Sequence, residues 1–102
     1  MHYVICYDLE NDRLREKVAK LLQKHGCSRV QKSVFVAANL HPKHLDKLKT
    51  AAMGIISKAN LSPQDSLLLI PLPEECVRMA TVIGGANIIL AATQEAPLKI
   101  LI

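Results

Sequence analysis

Aromatic residues are scarce in this chain. It has no Trp, two Tyr (Tyr3 and Tyr7) and one Phe (Phe35), so its core must be built from Leu, Ile, Val and Ala. The cysteines are Cys6, Cys27 and Cys76, an odd number without a CxxC pair. That argues against a disulfide scaffold or a zinc site. Cys6 lies in an apolar stretch and reads as a small buried hydrophobe. No apolar run is long enough to span a bilayer. There is no Ser/His/Asp or Cys/His arrangement and no phosphate-cradling glycine loop. His2, His25, His41 and His44 lack metal-ligand spacing. Met1-His2-Tyr3 runs straight into a strand, so a secretory leader is not expected and a reducing, cytoplasmic location is.

What remains is one domain's worth of chain. Its 102 residues are 50% hydrophobic, too apolar for disorder. A domain of this size has a thin stability margin, which dimerisation would widen. The formal net charge of +4 is unevenly placed. Residues 1–50 carry ten Lys/Arg against Asp8, Glu10, Asp12, Glu16 and Asp46; residues 51–102 carry Lys58, Arg78 and Lys99 against four acids. A basic half-domain suits a polyanion, although charge alone equally describes a solvated helix face.

The pattern along the chain is β-α-β-β-α-β. Tyr3 to Tyr7 is a continuous apolar strand ending at Asp8, as expected for a central strand or one covered on both faces. Leu14, Val18, Leu21 and Leu22 at helical spacing predict a helix from about Asp12 to His25, with turn and capping chemistry at Glu10-Asn11-Asp12 and a left-handed stop at Gly26. Arg29-Val30-Gln31 and Ser33 to Ala37 read as two tightly joined antiparallel strands. A second helix starts at Pro42, capped by His41, and runs to about Ala59 along Leu45, Leu48, Ala52, Ile55 and Ile56. Ser66 to Ile70 is the fourth strand, ended by Pro71 and Pro73.

This order predicts a ferredoxin-like α/β (α+β) fold, a four-stranded sheet with two helices on one face, over residues 1–84. Residues 85–102 form a C-terminal extension. Within the tail, Glu74 to Met79 suits one or two helical turns and Thr81-Val82-Ile83 a short strand. Ile88 to Thr93 is ambiguous between strand and helix. Leu98 to Ile102 reads as a terminal strand able to cover a sheet edge of its own chain or of a partner across a homodimer.

Three pieces carry a resemblance: Tyr7-Asp8 closing the first strand, Arg13 and Arg15 opening the first helix, and Arg29-Val30-Gln31-Lys32-Ser33-Val34-Phe35 across the hairpin. In this order the chain resembles the CRISPR-associated endoribonuclease family Cas-two (Cas2). Pro71-Leu72-Pro73-Glu74-Glu75-Cys76 and Val82-Ile83-Gly84 resemble the family's tail, with Pro73 where many members have Cys and Lys17 where Arg is frequent. The resemblance implies a homodimer, association with the Cas-one (Cas1) integrase and a part in spacer acquisition. It also implies magnesium-dependent endonuclease action on single-stranded RNA or duplex DNA.

On that basis Asp8 is the candidate catalytic and metal-binding residue, its carboxylate being a hard oxygen ligand suited to magnesium. One Asp makes a weak site, and a two-fold axis near the strand end would supply a second. The alternative is that Asp8 only caps the helix or bonds the turn through Asn11. Arg15, Lys17, Arg29 and Lys32 are candidate phosphate contacts. Arg13 could instead pair with Glu10 or Asp12. Tyr7 and Phe35 are expected in core or dimer packing, with stacking on a base the alternative for Phe35, and Ser33 in a kink, in support of Asp8 or in a phosphate contact. The rival functions are a non-catalytic DNA-binding scaffold of the same complex and a VapD-type mRNA-cleaving toxin.

Overall fold

The computed structural model describes residues 1–84 and 88–93. Its elements run β1 (His2–Asp8), α1 (Asp12–Lys24), β2 (Ser28–Gln31), β3 (Val34–Ala37), α2 (Pro42–Ser57), β4 (Ser66–Leu72), α3 (Glu74–Met79) and α4 (Ile88–Thr93). The four strands form one antiparallel sheet in the order β2-β3-β1-β4. β1 and β3 are therefore central, as the apolar content of β1 predicts. A register shift between Arg29 and Gln31 bends β2 just before the hairpin.

Local chemistry sets the helix ends. Asn11 Oδ1 accepts the Leu14 N–H at 3.0 Å, satisfying one orphan donor of α1. The helix stops at His25, followed by Gly26 at φ +82°, a conformation that a Cβ would strain. In α2, Pro42 opens the first turn and His41 Nδ1 accepts the Lys43 N–H at 3.2 Å.

Pairing register assigns every β1 side chain to a face. Tyr3, Ile5 and Tyr7 lie with Leu67, Leu69 and Phe35 on one face. There they join Leu14, Val18 and Leu22 of α1 and Leu48 of α2 in the main core. Val4, Cys6 and Asp8 lie with Ile70, Leu68 and Ser66 on the other. On that second face Val36 is buried, with α4 packed on β2 and β3. Among the described residues the β4 side is bare: Leu68 is 51% and Ile70 47% exposed.

The structure corrects four expectations. Cys6, on the second face of β1, is half-buried rather than buried. Pro71 does not end β4, which continues to Leu72. Among the described residues β4 pairs only with β1, and an edge strand tolerates a residue without an N–H on its open side. Thr81-Val82-Ile83 forms no strand, and Ile83 is 94% exposed with no neighbouring strand among the described residues. The second helix ends at Ser57, two residues early. Ile88–Thr93 is helical, with the Thr93 hydroxyl donating to the Ile89 carbonyl at 2.9 Å. The expected terminal strand Leu98 to Ile102, and its exchange across a dimer, lie outside the described residues.

Candidate nucleic-acid interface and metal half-site

Asp8 is the last residue of β1, opposite Ser66 of β4, and it is exposed. It does not cap α1, because Asn11 does. Its carboxylate makes no hydrogen bond or ion pair among the described residues. It stands at the end of the bare Val4, Cys6, Leu68 and Ile70 strip. Among the described residues no three His, Cys, Asp or Glu side chains come together as a metal site.

Asp65 precedes Asp8's strand partner Ser66. Its two oxygens are occupied. Oδ1 accepts the Glu10 N–H at 2.9 Å and Oδ2 accepts the Ser62 N–H at 3.0 Å. These backbone bonds, that from Ser62 foremost, hold its carboxyl below the ordinary value of 3.8. Asp65 thus ties the loop after Asp8 to the loop before β4. Sequence reasoning missed it, because its bond to Glu10 crosses 55 residues.

Arg15 secures the same loop from the other side. Its Nη1 donates to the carbonyls of Leu9 at 2.7 Å and Glu10 at 2.9 Å, and its Nη2 pairs with Asp12. The Asp12 pairing foreseen for Arg13 therefore belongs to Arg15. Arg29 is similarly engaged, with Nε and Nη2 donating to the Lys32 carbonyl at 3.2 and 2.8 Å. Its guanidinium lies 5.2 Å from the Phe35 ring centroid, within cation–π range. This closes the β2–β3 turn.

Five of the candidate residues converge. Tyr7, Arg15, Arg29, Lys32 and Ser33 line one cleft of about 180 Å³ between α1 and the hairpin turn. The Tyr7 N–H donates to the Ser33 carbonyl at 3.1 Å, joining β1 to that turn. The Tyr7 ring stacks on buried Phe35 at 6.2 Å, and its hydroxyl is buried without a hydrogen-bond partner. Lys17 is elsewhere, in a groove between α1 and α2 with Arg13 and Lys58. Asp8 and the cleft flank the same end of β1 from opposite faces of the sheet, since Tyr7 and Asp8 alternate.

Known proteins resemble this chain in sequence and in fold. The profile of the family described as "CRISPR associated protein Cas2" matches residues 1–80. A "CRISPR-associated endoribonuclease Cas2 1" of Archaeoglobus fulgidus is 32% identical over 88 residues, covering 86% of this chain and 88% of that protein. The crystal structure of Streptococcus pyogenes Cas2 at pH 6.5 superposes with a TM-score of 0.66 at 25% identity, covering 82% of this chain and all of that one. A chain of a partial Cas6-RT-Cas1–Cas2 complex superposes with a TM-score of 0.69 at 26% identity, covering 98% of this chain and 92% of that one. No helix among the described residues is long and apolar enough to cross a membrane.

Proposed function

The chain belongs to the CRISPR-associated Cas2 family, and from that premise we propose that it acts as a homodimeric nucleic-acid-binding subunit of CRISPR adaptation, with Cas1 as its partner and with a magnesium-dependent endonuclease site at the dimer axis. One observation carries the reading: exposed Asp8, unpaired among the described residues, stands at the end of an apolar sheet face that those residues leave bare. Two such faces packed about a two-fold axis would bury Leu68 and Ile70 and bring two Asp8 carboxylates to one place. The relative of known structure in a complex with Cas1 supports the partner.

The donor chemistry fits magnesium only as a half-site. Asp8 offers a hard carboxylate, while Asp65 spends both oxygens on backbone N–H groups. Asp8 from each protomer would hold the ion, which when bound activates water and offsets phosphate charge. The chain's own residues do the rest. Arg15 and Asp65 hold the loop behind Asp8, so the carboxylate keeps its place at the strand end. Lys32 and Arg29, exposed beside the cleft, offer charge to a phosphodiester.

The experiment is cleavage of single-stranded RNA and duplex DNA with magnesium or EDTA, by wild type and Asp8→Ala. Cleavage lost in EDTA and in Asp8→Ala is expected, and cleavage unchanged by the substitution refutes the site. One carboxylate per chain also favours a second reading, binding without chemistry. It predicts duplex and Cas1 binding that survive Asp8→Ala, with no cleavage by wild type in any metal.

A further inference from the structure

The positive charge of this protein is concentrated away from Asp8. α1 and α2 run antiparallel, and two stretches of the groove between them are solvent-lined. The first, of about 540 Å³, carries Arg13, Lys17 and Lys58 among uncharged neighbours such as Asn11 and Asn60. The second, of about 360 Å³, carries Lys24, His25, His44 and Lys47. Among the described residues no acidic side chain lines either stretch; Glu10, Asp12 and Asp65 line the separate cleft that adjoins the first at Arg13. Arg13 and the four lysines together exceed the formal net charge of the whole chain, +4, so the remaining residues of the sequence sum to a net negative charge.

The spacing is regular as well. Residues 13, 17 and 24 of α1 share one helical stripe, as do 44 and 47 of α2 with Lys58, the residue that caps its end. Asp46 lies round the far side of α2 from that stripe, and Glu16 is paired with Lys20 at 3.0 Å. From Arg13 to Lys24 the groove follows about 16 Å of helix, a length along which one strand of a duplex carries about five phosphates. A solvated face needs neither the exclusion of acids nor this alignment.

We infer that the α1–α2 groove is a nucleic-acid backbone track, separate from the Asp8 face and on the opposite side of the sheet. It rests on the proposed nucleic-acid function and specifies where retention occurs. Binding there grips phosphates without presenting them to Asp8. The same chain can thus hold a duplex on its helical side while its sheet face serves assembly.

The test measures affinity for labelled duplex DNA against salt, for wild type, for Lys17→Gln/Lys47→Gln/Lys58→Gln, and for Lys49→Gln, whose lysine borders a different groove. Thermal melts check that each variant is folded. The triple variant is expected to flatten the slope of log K against log salt by about 2.7 and to lose on the order of 100-fold in affinity at 0.1 M salt. Lys49→Gln should match wild type. A folded triple variant with wild-type slope and affinity overturns the track alone, leaving nucleic-acid binding intact. Wild type that binds neither DNA nor RNA overturns the underlying function. Polyglutamate that competes as well as DNA at equal charge overturns the assignment to nucleic acid.

Discussion

Truncating the bare strip on β4 tests the dimer on which the half-site depends. Leu68 and Ile70 are each about half exposed, so a partner face would remove the remaining half from water. Full burial of such a side chain is favourable by roughly 2 kcal/mol, so the second half contributes about 1 kcal/mol. Alanine keeps a minor part of that area, leaving a loss of about 0.7 kcal/mol for each side chain. A symmetric interface counts both residues twice, and Leu68→Ala/Ile70→Ala should weaken the dimer by about 3 kcal/mol, or about 100-fold in Kd. Sedimentation equilibrium over a range of concentrations reads this directly. Met53→Ala, at a 68% exposed position on α2, provides the control and should leave the dimer unchanged. Circular dichroism should show the protomer still folded, because the truncated side chains lie outside the main core. A dimer constant within threefold of wild type would refute the assignment of this face.

Three further outcomes follow from the residues around Asp8. Arg15→Ala removes two charge-assisted bonds to the Leu9 and Glu10 carbonyls. It should cost about 2 kcal/mol and lower the Tm by about 10 °C, and Arg15→Lys should recover little, lacking the planar fork. The Asp65 carboxyl is held below 3.8, so its stabilising contribution is complete above that value and disappears as pH falls through its lowered folded pKa. Asp65→Asn should therefore flatten the acid end of a Tm-against-pH curve, with the two curves drawing together below the folded pKa. Burial raises the Cys27 thiol to about 11, so at neutral pH a thiol reagent should label exposed Cys76 first and Cys27 last. Cys6, on the bare face, should be labelled in Leu68→Ala/Ile70→Ala and protected in the wild-type dimer. Mass spectrometry of the labelled peptides checks the order.

Element order, both long helices, their caps at Asn11 and His41, and the stop at Gly26 were legible in the sequence. Each depends on residues within a turn or two of one another, where spacing and side-chain chemistry act directly. The family, too, was legible, from Tyr7-Asp8, Arg13/Arg15 and the hairpin read in order. The tail was less so. Thr81 to Ile83 has the composition of a strand, but a strand exists only where a neighbour offers a ladder, and composition does not say whether one does.

The sequence by itself determined which residues could carry charge, metal or core, because chemistry and local periodicity belong to the residue and its neighbours. Only the tertiary structure decided which of them meet. It spent Arg15 and Asp65 on the loop behind Asp8, gathered Arg15, Arg29 and Lys32 against Tyr7, and sent Lys17 to another groove. It also decided that one face of an apolar strand stays bare. In Ser66 to Leu72 nearly every position is apolar, so alternation could not distinguish inside from outside. Pairing with β1 did, placing Leu67 and Leu69 against the helices and leaving Leu68 and Ile70 beside Asp8.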